Sequence, residues 1–404
     1  MEILFIGVAN TEEALVESQN KYYNGKAQVR PQQYFDMKLA MGLSKRCNVT
    51  TMSLPPVASY PTSSCLFYNR KKEVISKELE INYISLLNLP IIKTITIMIR
   101  VFLYSFFFLV KKRKNNPIIV CGYISFDTSL PAIIVAKILR KKIFAIVPDV
   151  PLFINTYSKV KNPIKRLMNK FSNKLTCEIE NRFNGYIFFT QAMNELINRN
   201  KQPYFVMEGM LDEEEIFQSD EIEINNIPKV IMYAGTLHEK FGIKKLVEAF
   251  IKADLPECQL WIYGDGDYVE ALSKIENKNI KFKGSVSKSE ILILERKATL
   301  LINPRPSSEE FTEYSFPSKT LEYMASGTPL LTTSLSGIPK EYDNYLYYFD
   351  GETINDMADK LKQIMGFSVE ELNNFGLNSK NFVIKNKTSL IQTKKIFDFL
   401  NQNK

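Results

Sequence analysis

The chain has 404 residues, of which 45% are hydrophobic and 24% charged, so it is long enough to form two folded domains. Its five cysteines are scattered without a Cys-x-x-Cys pair and it has one histidine, which argues against disulfides and a zinc site and fits a reducing cytoplasm. Because the N-terminus begins acidic and turns polar at Asn10, we expect a first strand there rather than a signal peptide.

Charge is distributed unevenly along the chain, whose net charge is +8. Residues 1–205 hold 29 Lys and Arg against 13 Asp and Glu, whereas residues 206–404 hold 23 against 31. A basic half can attract nucleic acid, anionic lipid or a phosphorylated substrate, and an acidic half argues against a protein that wraps nucleic acid along its length. Because the sequence has no zinc finger, basic region joined to heptads or RNP-like aromatic motif, nucleic acid is a weak candidate partner.

Short apolar runs alternate with helical patterns in the first half. Strands are predicted at 3–8, 49–54, 83–87, 118–121 and 143–147, and helices at 34–43 and 129–139. This alternation indicates a parallel, doubly wound α/β sheet, whose ligands bind beyond the carboxyl ends of the strands, here at residues 7–10, 122–127 and 148–151. Of the two aspartates there, we expect Asp127 to cap the following helix and Asp149 to contact an acceptor, although either can be a simple turn residue.

The stretch from Leu89 to Val110 is apolar and nearly long enough to span a membrane. Arg100 would then lie near the bilayer centre, where a charge costs about 3 kcal/mol, so one interpretation is a partly buried helix of the first domain. The other is an interfacial anchor, with the basic run 111–114 at the lipid headgroups. A second basic run, at positions 159, 161, 165, 166, 170 and 174, favours this alternative, since each such residue contributes about 1 kcal/mol near an anionic surface.

The first domain is predicted to end with a last strand at 182–190 and a helix at 191–198, followed by a hinge at 203–212. Residues 214–226 are acidic and poorly patterned, which is typical of a surface excursion. A new α/β unit then begins with a strand at 229–234, a glycine-bounded loop at 235–242 and an amphipathic helix at 243–253. A glycine turn between a strand and a helix lets backbone amides approach a phosphate, whose charge Lys240 can neutralise.

Two more strands follow, at 259–263 and 280–284. The first leads into Gly264-Asp265-Gly266, which lacks the third glycine and the later acidic residue of a dinucleotide fingerprint. Strands at 329–333 and 345–350 and helices at 355–365 and 388–400 complete the chain.

The stretch 305–329 reads as a loop and a helix after an apolar strand at 298–303. Pro317 suits the first helical turn, whose N–H groups bind phosphate, and Lys319 adds a positive charge. Glu322, one turn further on, can accept hydrogen bonds from a ribose, so the two together indicate a nucleotide site. The alternative is an amphipathic helix with a solvated Lys and Glu.

The block from Phe316 to Pro329 resembles the nucleotide-sugar site of retaining GT-B glycosyltransferases of the family-4 type, which include bacterial polysaccharide- and capsule-assembly enzymes. In that family two glutamates separated by seven residues contact the donor sugar and the ribose. Glu322 matches the second glutamate, whereas Tyr314 occupies the first position and Glu313 lies one residue before it. Many polysaccharide-assembly members that share Phe-Pro-Ser-Lys also lack the first glutamate.

The resemblance extends to the opening of the second domain, where the family holds the donor diphosphate with a basic pair. Lys240 matches the lysine, and Thr236 occupies the arginine position. His238 is either an exposed loop residue or one that places the phosphates. Arg305 is expected near the sugar, because its planar guanidinium can replace a lost contact.

These patterns predict two groups of site residues. The catalytic group is Lys240, Glu313 and Asp149. The donor-binding group is Gly235, Thr236, His238, Gly284, Val286, Arg305, Tyr314, Ser315, Phe316, Pro317, Ser318, Lys319 and Glu322, with Gly284 and Val286 near the base that the family holds through backbone atoms. No metal or cofactor is expected, because lysines and helix N-termini can stabilise the leaving diphosphate.

We therefore expect a GT-B fold, an α/β architecture of two doubly wound Rossmann-like domains with a cleft between them. Residues 1–203 are predicted to bind the acceptor, 204–385 the nucleotide-sugar, and 386–404 to form a helix that packs on the first domain. The expected reaction moves a hexosyl-type sugar to a lipid-linked saccharide at the cytoplasmic face of an anionic membrane, with retention of configuration. The alternatives are a nucleotide-sugar epimerase or phosphorylase of the same fold and a non-catalytic partner subunit.

Overall fold

The computed structural model of the protein describes residues 1–23, 31–151, 163–212, 216 and 228–404, without the side chains of residues 163–165, 168 and 311. These residues pack into two compact units, one formed by Met1–Met207 with Gln392–Lys404 and the other by Glu208–Ile391. The basic positions 159 and 161, the side chain at 165 and nearly all of the acidic stretch 214–226 lie outside the described residues.

The first unit is built from alternating strands and helices. Its strands are β1 (Glu2–Gly7), β2 (Asn48–Ser53), β3 (Phe67–Tyr68), β4 (Lys71–Ser76), β5 (Leu79–Tyr83), β6 (Leu86–Leu87), β7 (Ile118–Cys121), β8 (Ile143–Val147), β9 (Gly185–Phe188) and β10 (Tyr204–Val206). Its helices are α1 (Glu12–Tyr22), α2 (Pro31–Ser44), α3 (Ile92–Lys111), α4 (Phe126–Ile138), α5 (Pro163–Ile179) and α6 (Gln191–Ile197).

Eight of these strands form one sheet in the order β10-β9-β8-β7-β1-β2-β5-β4. Every pair is parallel except β4 with β5, and β3 with β6 forms a separate antiparallel pair. All residues of β1, β7, β8 and β9 are buried, as expected for parallel strands covered on both faces. The strand order reverses at β1, which lies between β7 and β2, and ligands of open α/β sheets bind beside such a point.

The second unit repeats this architecture. Its strands are β11 (Lys229–Ala234), β12 (Cys258–Tyr263), β13 (Ile280–Phe282), β14 (Leu300–Asn303), β15 (Leu330–Thr332) and β16 (Tyr347–Tyr348). Its helices are α7 (Ile243–Ala253), α8 (Val269–Ser273), α9 (Lys288–Lys297), α10 (Lys319–Ser326), α11 (Ile354–Met365) and α12 (Val369–Asn386). A last helix, α13 (Ser389–Asn403), belongs to the first unit from Gln392 onward.

All strands of the second sheet are parallel, in the order β13-β12-β11-β14-β15-β16. Helix α7 shows why the layers form: Ile243, Leu246, Val247 and Phe250 recur at helical spacing, and all four are buried in one core cluster with strands β11 and β12. Strand order reverses at β11, between β12 and β14.

The predicted bounds of β7, β8, β11 and α7 agree with the structure, whereas three other predictions were wrong. The strand expected at 83–87 lies at Leu79–Tyr83, and the strand at 182–190 is not the last of its sheet, because β10 pairs with β9 at the edge. Asp127 is not an N-cap: Ser125 occupies that position and donates its hydroxyl proton to Asp127 Oδ1 at 2.5 Å. Helix α12 was not predicted.

Candidate functional site

The candidate site lies at the carboxyl edge of the second sheet. Strand β11 pairs with β12 on one side and with β14 on the other. The loops that follow these three strands therefore begin side by side at that edge. Every predicted donor-binding residue except Gly284 and Val286 lies on one of these loops or on helix α10.

The loop after β11 packs tightly on the loop after β14. Gly242, the residue before α7, has a φ of +84°, and a Cβ there would lie 1.9 Å from the carbonyl oxygen of Pro304. Only glycine fits both the left-handed backbone and this close approach. The N-terminus of α7 is therefore fixed against the start of the loop that carries Arg305.

Two cations from different loops converge on one aromatic ring. Lys240 Nζ and Arg305 Cζ each lie 5.1 Å from the centroid of the Phe241 ring. Burial lowers the pKa of the Arg305 guanidinium, although an arginine keeps its charge in a protein. The structure thus brings together two residues that are 65 positions apart and creates a positive cluster beside the N-terminus of α7.

The rest of the β11 loop is held by hydrogen bonds. The Tyr233 hydroxyl donates to the Thr236 carbonyl at 2.9 Å, and the Gly235 N–H donates to the Tyr263 carbonyl at 3.0 Å. His238 Nδ1 lies 3.0 Å from Asp267 Oδ2 on the loop after β12. The only histidine is thereby tied to the neighbouring loop, with its side chain partly exposed.

The loop after β14 leads into α10 and is partly anchored. The Phe316 ring packs 5.5 Å from the Tyr342 ring, and Pro317 is buried. Ser315 Oγ is buried without a hydrogen-bond partner among the described residues, whereas Tyr314 is half-buried and Glu313 is exposed. Glu313 is therefore accessible to solvent in the loop that leads to α10.

Helix α10 begins without a side-chain cap. Ser318 is its N-cap and makes no side-chain capping bond, and the Thr320 N–H donates to the Pro317 carbonyl at 2.8 Å. The positive end of the helix dipole is therefore not offset by a capping side chain. Lys319 Nζ lies 3.0 Å from Glu322 Oε1 and 5.5 Å from the centroid of the Tyr323 ring. Lys319 and Glu322 thus face the same side of the helix and pair with each other.

Sequence reasoning missed a clamp between α10 and the end of β11. The Tyr323 hydroxyl accepts the Ala234 N–H at 3.0 Å and donates to the Ala234 carbonyl at 2.8 Å. Both residues are buried, so these bonds fix the position of the helix relative to the loop that carries Lys240. Their separation of 89 residues leaves no local signal that could have revealed the contact.

A second missed residue is Glu295 on α9. Its side chain is fully buried, and neither carboxyl oxygen makes a well-formed hydrogen bond to a described residue. Burial, with the nearby Glu322 carboxylate as the next cause, raises the pKa of Glu295 to about 9, against a smaller opposing effect of Lys319. Glu295 is therefore protonated at neutral pH. The sequence does hint at burial, because Glu295 lies one turn after Ile291 on the packed face of α9.

The remaining predicted residues are more dispersed. Gly284 follows β13, and its carbonyl accepts the Gly264 N–H at 3.0 Å. Val286 packs against the core of the second unit. Asp149 follows β8 at the carboxyl edge of the other sheet, where its side chain is exposed.

The loop after β12 carries two aspartates at the spacing Asp265-Gly266-Asp267, a spacing that can hold a metal ion. Asp265 Oδ1 accepts the Gly266 N–H at 2.8 Å, and Asp267 pairs with His238. Within the described ranges, no group of three or more His, Cys, Asp or Glu side chains is placed to hold a metal ion.

In chemical terms the site offers positive charge and backbone donors around one carboxylate. Lys240, Arg305 and Lys319, together with the N-termini of α7 and α10, suit a multiply charged anion such as a diphosphate. Glu322 adds an acceptor for hydroxyl groups at the same edge. These are the features expected for a phosphorylated ligand that also carries hydroxyls.

Comparison with known proteins agrees with this geometry. Residues 228–366 match the family model described as glycosyl transferases group 1. The matched segment covers β11 through α11 and hence all the loops of the candidate site. No curated protein matches the sequence.

Several solved structures are similar to the entire chain. Anabaena HepE, solved in complex with UDP, has a TM-score of 0.63 at 13% identity, and a sucrose-phosphate synthase from Thermosynechococcus elongatus has 0.63 at 14%. The apo lipopolysaccharide outer core galactosyltransferase WaaB has 0.60 at 15%. In each case the comparison covers 100% of both chains.

These similarities confirm the predicted GT-B fold of two Rossmann-like α/β domains. Together with the matched domain they support a glycosyltransferase.

Proposed function

We propose that the protein is a retaining glycosyltransferase that moves a sugar from a nucleoside diphosphate-sugar to a saccharide acceptor bound by the first unit. The observation that carries the proposal is the grouping of Lys240, Arg305, Lys319 and Glu322 at one sheet edge, within the segment that matches the glycosyl transferases group 1 model. Because HepE was solved with UDP, uridine donors are the first to test.

In this proposal the donor diphosphate binds between the N-termini of α7 and α10. Arg305 supplies the second cation of the basic pair that the family pattern would place at Thr236, since it reaches the same Phe241 ring as Lys240. Glu322 accepts the ribose hydroxyls, and Lys319 turns from Glu322 towards a phosphate oxygen.

The chemistry then asks little of ionisable side chains. The bond between the anomeric carbon and the diphosphate oxygen breaks, and the acceptor oxygen bonds to the same face of the sugar. The acceptor proton passes to the departing phosphate oxygen. The three cations and the helix N-termini stabilise the charge that develops on the leaving group, so the reaction proceeds without a metal ion.

The test is a panel of nucleoside diphosphate-sugars assayed for nucleoside diphosphate release with membrane extract present. We expect Glu322→Gln and Lys240→Ala to weaken donor binding or turnover about tenfold or more, because each removes a charge-assisted hydrogen bond, and to leave the thermal midpoint nearly unchanged. The matched controls are Glu270→Gln and Lys274→Ala, which remove the two partners of an exposed ion pair between α8 and the residue that follows it. Unchanged donor kinetics in both site variants would refute the assignment.

The same panel separates the alternatives. UDP binding without turnover of any donor would indicate a non-catalytic partner subunit, which the departures at Tyr314 and Thr236 make worth testing. Isomerisation of the donor, or phosphate-dependent cleavage, would indicate an epimerase or a phosphorylase.

We also propose that the acceptor is lipid-linked and that the first unit docks on an anionic membrane. By length and composition alone, helix α3 could span a membrane, and 28% of its most apolar 18-residue stretch is buried. It is the only such helix in the described part of the chain. It packs against α4 through one face and exposes an apolar stripe on the other. The exposed stripe is Ile92, Ile95, Ile99, Leu103, Phe107 and Val110.

The two helices that follow along the chain also expose large apolar side chains. Helix α4 exposes Ile134 and Ile138, and α5, which packs on α4, exposes Leu167 and Phe171. Monomeric soluble proteins rarely expose so many large apolar side chains on adjacent helices. With Arg100 exposed at the edge of the stripe, an interfacial position costs less than a span, because the guanidinium can remain among the headgroups.

Co-sedimentation with anionic vesicles tests the docking. Binding should be strong at low salt, weaker at high salt and weaker again when Lys111, Arg113 and Lys114 become Gln, because screening removes the electrostatic part alone. Lys112 is kept, since it pairs with the buried Glu2 at 3.1 Å.

The control replaces three exposed lysines of the second unit by Gln: Lys244, Lys252 and Lys278. Phe107→Ser should reduce the salt-resistant part of the binding. Equal binding to neutral and anionic vesicles, or none to either, would make a soluble acceptor the better proposal.

A further inference from the structure

An unassigned polar group lies where the strand order of the first sheet reverses. Asp36, on α2, is fully buried, and its Oδ2 accepts the N–H of Val8, the residue after β1, at 2.8 Å. Gly122, the residue after the adjacent strand β7, lies next to the same carboxyl. A buried carboxyl thus sits between the two strand ends at which ligands of such sheets bind.

Glycines at both strand ends make room for this carboxyl. A Cβ at Gly7 would lie 2.3 Å from Asp36 Oδ2, and a Cβ at Gly122 would lie 2.8 Å from the same atom. Any side chain at either position would therefore displace Asp36. The arrangement requires three residues far apart in sequence, and burial of a carboxyl is costly unless its hydrogen bonds are satisfied.

Gln32, one turn before Asp36, satisfies the other oxygen. Its Nε2 donates to Asp36 Oδ1 at 2.6 Å and to the Gly122 carbonyl at 3.2 Å. Both partners are acceptors, so the NH2 group must face them and the amide cannot be flipped. Gln32 Oε1 consequently points away from the carboxyl, on a side chain that is half-buried and held by its two hydrogen bonds.

We propose that Gln32 binds a hydroxyl group of the saccharide acceptor through Oε1, and that Asp36 is the positioning residue that fixes this orientation. The inference rests on the proposed function, because it takes the first unit as the acceptor-binding unit. Gln32 contacts substrate, whereas the buried Asp36 acts only through Gln32 and the Val8 N–H.

The first test is Gln32→Met, which keeps the length of the side chain and removes its hydrogen bonds. Transfer of radiolabelled sugar is measured against increasing amounts of membrane lipid extract, with the donor that the panel identifies. We expect the half-saturating amount of extract to rise about tenfold, as for the loss of one substrate hydrogen bond, with a smaller fall in rate at saturation. UDP affinity, which depends on the second unit, should not change.

The matched control is Gln191→Met in the same unit. Gln191 also donates through Nε2 to a side chain, the Tyr204 hydroxyl at 3.1 Å, but it follows β9 at a different strand end. It should leave the half-saturating amount of extract unchanged.

The second test is Asp36→Asn, which keeps the volume but offers a single acceptor oxygen, so the Val8 N–H and the Gln32 amide compete for it. Burial raises the pKa of Asp36 to about 7, against the opposing hydrogen bonds from Val8 and Gln32. In the wild type, acceptor affinity should therefore fall as the pH drops below about 7, and Asp36→Asn should show low affinity without this pH dependence.

Other titratable groups beside Asp36 do not account for the expected pH dependence of acceptor affinity. Burial raises the pKa of Cys121 to about 12 and that of Tyr123 well above its usual range, so neither titrates near pH 7. Asp127, which faces Tyr123, is the same in both proteins and cancels in the comparison.

An unchanged half-saturating amount for Gln32→Met, or an equal effect of Gln191→Met, would overturn the inference. A loss of UDP affinity in Gln32→Met would overturn it too, because the change would then not be specific to the acceptor. A wild-type protein that turns over no donor would refute the proposed function instead, and with it the basis of this inference.

Discussion

Replacing the buried Glu295 by Gln should stabilise the second unit, and by an amount that grows with pH. The pKa of Glu295 is raised from 4.5 to about 9 in the folded state, so between these values the folded protein keeps a proton that the unfolded chain has lost. The wild-type free energy of unfolding therefore falls as pH rises through this window, by about 1.4 kcal/mol per pH unit. Glutamine cannot ionise. The stability advantage of Glu295→Gln should thus increase by about 3 kcal/mol between pH 6 and pH 8.

Urea unfolding followed by tryptophan fluorescence measures this difference. Trp261 is the only tryptophan of the chain and packs against the same core cluster of the second unit as α9, so its emission reports on that unit alone. The control is Glu290→Gln, an exposed carboxylate on the same helix. If the Glu295→Gln and wild-type free energies ran parallel across the pH range, Glu295 would not be a protonated buried acid and the reasoning would be refuted.

Two further variants test how the site is anchored, with the same fluorescence assay. Tyr323→Phe should destabilise the second unit by about 2–4 kcal/mol, because the buried N–H and carbonyl of Ala234 both lose their partner; a loss below about 1 kcal/mol would contradict the clamp. Gly242→Ala should cost much more than Gly284→Ala, since both have positive φ but only the former meets a carbonyl, at 1.9 Å, while the latter faces open space. Equal costs would show that backbone conformation, and not the close approach, makes Gly242 necessary.

Much of the fold could be predicted because the parallel strands are short apolar runs with clear ends. Strands β7, β8 and β11 are nearly all buried, so no polar residue obscured their limits. Strand β5 was misplaced because apolar and polar residues alternate in it, with Glu80 half-buried between the buried Leu79 and Ile81. The more continuous apolar run at 83–87 was predicted as the strand instead. An alternating strand near a sheet edge carries a weaker signal than a central one.

Only those parts of the candidate site that depend on residues close together in the sequence could be predicted. Glycines and prolines marked the loops, and Lys319 and Glu322 were placed on one side of a helix by their spacing alone. The contact of Arg305 with Phe241 and the clamp of Tyr323 on Ala234 depend on strand order, which no local pattern encodes. Asp36 was missed for the same reason, because its partners belong to two other strand ends.

The pairing of Lys319 with Glu322 bears on how the proposed donor site would work. Their side chains are 38% and 21% exposed, and a pair with such access to water stabilises a helix by at most about 1 kcal/mol. Redirecting Lys319 to a phosphate would therefore cost little compared with the charge-assisted hydrogen bonds that a diphosphate offers, each about 1.5–3 kcal/mol. Glu322 would not move with it, because Tyr323, the next residue of the helix, is held on Ala234. In the proposed donor site, a weak pair on an anchored helix would thus let Lys319 move to the phosphate while Glu322 stays in position for the ribose.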